Sequence, residues 1–421
     1  MQISMNHKDV RSDVLQTLLD RGFLHQCTDL PGLDKRLSEG PITAYNGFDL
    51  TADSLHVGHL IPIMMLRWFQ KAGHRPIVLL GGATTRIGDP SFRDTSRPIL
   101  DDAQIAANHA GIRQVFERFL TFDGGSGGAT MVDNADWLSE LRYLDFLRDF
   151  GRHFSVNRML GFDSVRQRLD REQSLSLLEF NYMVMQAYDF LELSRTHSCA
   201  LQLGASDQWG NIVNGVELAR RVDGHEVFGL TAPLLATASG VKMGKSAGGA
   251  VWLNADRLPP YDFWQFWRNT EDADVGRFLR LFTEVPLDEV ARLEALGGSE
   301  INAAKMRLAD EVTTMCHGRA AAEAAHHAAL AAFEGRAAPG MPTIEVAAER
   351  LEAGMLLTDL LLTAGLSSSK AEARRLIRGG GARVGEAVVI EDTAVVTSAS
   401  LKDGVLTISA GRKRHVLVRE A

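Results

Sequence analysis

Over residues 1–235, short apolar runs alternate with amphipathic stretches, the pattern of a parallel sheet covered by helices. Pro41 to Gly47 reads as a strand ending at glycine, and Pro76 to Leu80 as a buried strand running into Gly81 and Gly82. Ala129 to Val132 and Ala200 to Leu203 read as further strands, and Leu60 to Ala72 as a helix with Leu60, Met64 and Trp68 on one face. From Pro259 to Arg336 the pattern becomes purely helical. Residues 337–350, with Pro339, Gly340 and Pro342, read as a linker. Beyond it, residues 351–421 combine a short basic helix with strands at Ala387–Ile390, Val405–Ser409 and His415–Val418. The expected fold is α/β: a Rossmann-like parallel sheet over 1–235, a lysine-bearing loop and helical domain over 236–336, and a small α+β domain over 351–421.

The length of 421 residues agrees with roughly three domains at ~150 residues each. A hydrophobic share of 45% and a charged share of 23% exclude disordered and collagen-like chains. Cys27, Cys199 and Cys316 are too few and too scattered for a disulfide framework or a zinc clip. The N-terminal residues are polar and no apolar run approaches ~18 residues, so a cytoplasmic protein without signal peptide or membrane span is expected. A net charge of −8 argues against nucleic acid as a partner. That average conceals a split. Residues 370–421 hold ten Lys and Arg against six Asp and Glu, a local +4 that leaves −12 for the rest.

Chemistry concentrates first at Tyr45–Leu60. His56 and His59, three apart at an expected helix start behind Asp53 and Ser54 as caps, share one face. Helix N-termini attract phosphate, and two imidazoles beside one could donate to it as its charge develops. Gly58 between them leaves room for a flat ring. A solvated helix end stays open as an alternative; zinc would want a third ligand, and none is evident. Pro62 breaks a local rule, since inside a helix it removes a hydrogen bond and should kink it. A second concentration is Ser239–Gly249, where Lys242 and Lys245 stand among glycines and could reach a polyphosphate. The spacing is not that of a P-loop. A third is the stretch Glu179–Leu193, apolar almost all round yet carrying Tyr182, Gln186 and Asp189 on one stripe. Such groups need partners: either a polar ligand or a network closed within the protein.

His56-Val-Gly-His59 near the first strand and Lys242-Met-Gly-Lys245-Ser246 far downstream resemble the paired signatures of class I aminoacyl-tRNA synthetases. Val57 and Gly244 depart mildly from the usual His-Ile-Gly-His and Lys-Met-Ser-Lys-Ser. Tyr45, Gly47-Phe48-Asp49, Thr51 to His56, Gly81 to Thr84, Gly88 to Ser91 and Ser206 to Asn211 resemble the bacterial tyrosine-specific branch in particular. The resemblance runs from about residue 41 to the C-terminus.

The resemblance implies roles residue by residue. Tyr45 and Asp189 would bond the substrate phenol; Asp89, Tyr182 and Gln186 would hold its ammonium group. Thr51, His56 and His59 would sit near the ATP phosphates, with Gly58 and Asp49 in the same pocket and Lys242, Lys245 and Ser246 over the pyrophosphate. Asp207 and Gln208 would hold the ribose and reacting carboxylate. Asn46 stands where a ribose-contacting cysteine is common, and Ala205 where glycine is usual. The implied substrates are tyrosine, ATP accompanied by Mg2+, and tRNA(Tyr), with no zinc, no membrane and a homodimeric state. Lys370, Arg374, Arg375 and Arg378, along one helix face, would contact RNA within a region that resembles an S4 domain. Three rivals stay in view: the tryptophan-specific sister enzyme, a small-molecule nucleotidyltransferase and a non-catalytic RNA binder. An indole offers no phenol oxygen to Tyr45 and Asp189. A nucleotidyltransferase needs no basic tail, and intact His56, His59, Lys242 and Lys245 argue against lost activity.

Overall fold

The computed structural model describes residues 10–89, 100–238, 240, 243, 245–246, 249–334, 338, 340–402, 404–411 and 414–421. These divide into two compact units: residues up to Arg257 with Glu271–Ala295, and Leu258–Thr270 with Leu296–Ala421.

The first unit is built on a six-stranded sheet of β1 (Gln26–Cys27), β2 (Thr43–Asp49), β3 (Arg75–Gly81), β4 (Thr130–Asp133), β5 (Cys199–Ala205) and β6 (Phe228–Ala232). The spatial order is β1-β6-β5-β2-β3-β4. All neighbours run parallel except the edge strand β1, antiparallel to β6. Ile77 to Leu80 of β3 are buried throughout, as expected of a strand with both faces covered. From β2 the chain winds outward through β3 and β4, then returns to place β5 against the other side of β2. That reversal opens a crevice at the carboxyl ends of the strands, the usual ligand position in such sheets.

Helix α1 (Leu60–Lys71) follows a short 3-10 turn at Val57–His59. Pro62 therefore lies in its first turn, where backbone N–H groups have no intrahelical partner anyway. The expected kink has no cause. Nor do Asp53 and Ser54 cap this helix: His56 does so for the 3-10 turn, its Nδ1 accepting from Gly58 N at 3.1 Å. Asp53 is instead paired with Arg257, and the Ser54 hydroxyl accepts from Asn254 N. Helix α2 (Asp102–Phe119) flanks this region; α3 (Leu177–Thr196) and α4 (Trp209–Val222) pack together on the sheet. The start of α3 is fixed by a capping box of Ser176 and Glu179, whose carboxylate also takes the buried Arg168 guanidinium at 2.8 Å. Helix α5 (Val275–Phe282) belongs to this unit as well, although its helical periodicity groups it with the all-helical segment in the sequence.

In the second unit, the helix Pro260–Arg268 packs on α6 (Ile301–His317) and α7 (Arg319–Phe333). Its indole Trp264 donates to Asp310, which also engages His326. A five-stranded sheet follows, and one of its edges is Thr343–Val346, parallel to Arg414–Glu420. Within the stretch expected to be a linker, Thr343–Val346 is thus a strand. The proline and glycine before Thr343 mask a short edge strand with only four residues of pattern. Helix α8 (Lys370–Arg378) packs on this region by Ala373 and Ile377. Among the described residues, no helix is long and apolar enough to cross a membrane.

Candidate active site

A cavity of about 730 Å3 opens at the crevice between β2 and β5. Tyr45, Asp49, Thr51, His56, Gly58, His59, Asp89, Tyr182, Gln186, Asp189, Asp207 and Gln208 all line it. Residues from four separate stretches of sequence are thereby brought together. Lys242 lies outside the described residues, as do Pro90, Ser91 and the side chains of Lys245 and Ser246. Their described neighbours Met243 and Ala250 line the same cavity.

The floor is apolar packing with polar atoms set into it. Tyr45, fully buried, packs its ring against Phe190 at 5.3 Å between centroids, while its hydroxyl has no hydrogen-bond partner among the described residues. Burial and the nearby Asp189 carboxylate hold that phenol well above its ordinary pKa. Asp189 accepts from Asn134 Nδ2 at 3.0 Å and Trp137 Nε1 at 2.8 Å. Burial outweighs both bonds and pushes its carboxyl up to about 7. Asn134 is held in turn, donating to Thr84 Oγ1 and accepting from Ala83 N. Asn46 Nδ2 and Gln202 Oε1, on β2 and β5, are likewise buried in the lining without partners among the described residues.

On the wall, the Tyr182 hydroxyl donates to Asp49, 3.1 Å from each carboxylate oxygen. Gln208 Nε2 donates to Asp89 at 2.9 Å, and Asn211 Nδ2 donates to both Gln186 and Gln208. The stripe on α3 thus closes partly within the protein and partly onto the cavity. Of the two alternatives left open by the sequence, the network closed within the protein is the one observed.

Also in the lining, the His56 and His59 rings lie 4.1 Å apart between centroids, tilted by 42°, and His59 Nδ1 accepts from His56 N at 3.2 Å. Gly58 is required here: a Cβ would lie 2.8 Å from the His56 ring. The chain leaving the lysine segment is laced onto this turn. Val57 N donates to Val251 O, Leu253 N to Leu55 O, and Trp252 bridges His56. Residues 251–253, a few positions after the second signature, are thus paired with the first, which their separation in sequence does not reveal. Asn134, Trp137, Gln202 and Trp252 are not singled out by the sequence, and Asn211 enters there only as the end of the Ser206 to Asn211 match, without a role. Only Asn134, directly after a strand, carried a positional signal. Among the described residues, no cluster of His, Cys, Asp and Glu could hold a metal.

Residues 37–334 match the family model described as tRNA synthetases class I (W and Y). The chain is 63% identical to the tyrosine–tRNA ligase of Rhodospirillum rubrum, with 97% of this chain and 98% of that one covered. It is 60% identical to the tyrosine–tRNA ligase of Caulobacter sp. (strain K31), with 97% and 98% covered. Among solved structures, a C-terminally truncated mitochondrial tyrosyl-tRNA synthetase of Aspergillus nidulans superposes with a TM-score of 0.68 at 30% identity, covering 76% of this chain and 94% of that one. A cavity that joins both signature segments to a buried phenol and carboxylate accords with this near end-to-end similarity, and the chain belongs to the tyrosine–tRNA ligases of class I.

Proposed function

We propose that this cavity activates tyrosine with ATP, and that the second unit presents tRNA(Tyr) for the transfer that follows. The observation that carries the reading is the buried Tyr45 hydroxyl, without a partner among the described residues, beside the Asp189 carboxylate. A substrate phenol placed between them accepts from Tyr45 and donates to Asp189, while phenylalanine leaves both unsatisfied. The Asp89, Tyr182 and Gln186 side chains stand on the wall that would receive the ammonium group. Asp49 orients the Tyr182 hydroxyl, and Gln208 and Asn211 brace Asp89 and Gln186.

No nucleophilic side chain is needed. The tyrosine carboxylate attacks the α-phosphorus of ATP, the bond to the β-phosphate breaks, and tyrosyl-adenylate and pyrophosphate result. A ribose hydroxyl at the tRNA 3′ end then attacks the adenylate carbonyl and AMP leaves. The work of the protein is alignment and stabilisation of developing phosphate charge. His56, His59 and Thr51 serve the phosphates, Lys242, Lys245 and Ser246 the pyrophosphate, Asp207 and Gln208 the ribose side. Mg2+ accompanying ATP would offset the charge of its phosphates.

The C-terminal sheet and α8 are read as an S4-like RNA-binding module. Arg374, Arg375 and Arg378 are exposed on α8, Arg378 pairing with Asp392 at 2.8 Å and Lys370 with Asp359 at 2.7 Å. These weak surface pairs exchange readily for RNA phosphates. A homodimer is supported by exposed apolar side chains concentrated between residues 143 and 178, including Tyr143, Leu144, Val156 and Leu177. Pyrophosphate–ATP exchange with each amino acid in turn tests the central reading. Exchange with tyrosine alone is expected; exchange with tryptophan instead, or with none, overturns it.

A further inference from the structure

We infer that Asp274 and Arg277 are positioning residues for ATP activation, acting through the backbone that leads into the lysine segment. The inference rests on the proposed role of Lys242 and Lys245.

The chain leaving that segment is held by its ladder to Leu55 and Val57. The chain entering it is attached differently among the described residues. It is held instead from α5. Asp274 Oδ2 accepts from Ala238 N at 2.8 Å, and Arg277 donates to Ala236 O. The two side chains also pair with each other at 2.6 Å. One residue along, Met243 N donates to Leu235 O, so the clamp sits at the base of a turn that returns to the cavity lining.

Two features set this contact apart from an ordinary surface pair. Asp274 is 1% exposed, so its charge depends on the partners it has. It also occupies the N-cap of α5, where aspartate ordinarily accepts from its own helix, yet it makes no capping bond. Its carboxylate is committed to Ala238. Arg277 closes the arrangement by taking the carbonyl two residues earlier, so both peptide groups flanking residue 237 are fixed. Displacing this stem shifts every group that follows it, and a displacement of ~1 Å at a reacting centre is worth up to ~100-fold in rate.

The test measures tyrosine-dependent pyrophosphate exchange and, separately, tyrosine affinity by equilibrium dialysis. Arg277→Ala is expected to lower kcat/KM for ATP by roughly 10- to 100-fold with tyrosine affinity unchanged. Arg277→Lys, which keeps a donor and a charge, recovers most of the loss. Asp274→Asn keeps the shape and serves if Arg277→Ala fails to fold; a loss of roughly tenfold at unchanged tyrosine affinity is expected. Arg280→Gln, on the same helix but paired outward with Glu294, stays at parental rates. The inference is overturned if folded Arg277→Ala and Asp274→Asn exchange at parental rates, or if tyrosine affinity falls in step with the rate. If Lys242→Ala and Lys245→Ala are themselves silent, the reading of the lysines fails. If they abolish exchange while the clamp variants do not, only this inference fails.

Discussion

The cavity of the first unit and the basic helix of the second both present polar groups to a partner, but in opposite ways. In the cavity, Tyr45 is fully buried and its hydroxyl unsatisfied among the described residues, and Asp189 is 2% exposed and accepts two hydrogen bonds that fail to offset its burial. On α8, Lys370 and Arg378 are largely exposed and already paired with aspartates. A buried group without a partner specifies the atom that must come to it. An exposed charge specifies only a sign. On the function proposed above, selectivity would reside in the cavity, and the helix would contribute affinity that salt screens.

Perturbing the reacting centre should have the largest effect. His56→Ala is expected to slow adenylate formation by roughly 10²–10³-fold while tyrosine affinity stays near parental, as measured by single-turnover kinetics and dialysis. Asp189→Asn should weaken tyrosine by roughly 10- to 100-fold, because a charged acceptor is replaced by one that cannot hold the phenol proton as firmly. The same residue gives a pH dependence. Its carboxyl sits at about 7 in the fold against an ordinary 3.8, so the folded protein binds the extra proton between these values. The stability contributed by that group falls as pH rises from 3.8 toward 7, whereas tyrosine affinity rises toward 7 as the acceptor ionises, by up to ~10-fold per pH unit. A flat affinity profile, or one falling with pH, would contradict the role given to Asp189. The smallest effect belongs to the helix: Arg375→Ala should raise KM for tRNA a few-fold and lower the salt slope of binding by about 1, leaving exchange untouched.

Much of this was legible in the chain. The strands of the parallel sheet stand within a few residues of their apolar runs, and the polar stripe Tyr182, Gln186, Asp189 does face the cavity. What could not be read is non-local. Asn134 and Trp137 reach Asp189 from more than fifty residues away, across a sheet edge that no periodicity encodes. Asp53 looks like a helix cap until Arg257 arrives to pair with it. Thr343–Val346 is too short, and too close to proline and glycine, to declare itself a strand until Arg414–Glu420 runs alongside. Helix α5 reads as one more member of a helical series, yet it packs with the first unit, where its N-terminal aspartate serves a distant peptide group.

The contrast between buried reader and exposed helix is tested most directly by measuring pyrophosphate exchange and tRNA charging side by side in two variants. Asp189→Asn at limiting tyrosine should lose both activities together. Replacing Lys370, Arg374, Arg375 and Arg378 by alanine should lose charging while exchange stays parental. Exchange that falls with the four-residue variant, or that survives unchanged in Asp189→Asn, would contradict the division of labour proposed between the two units.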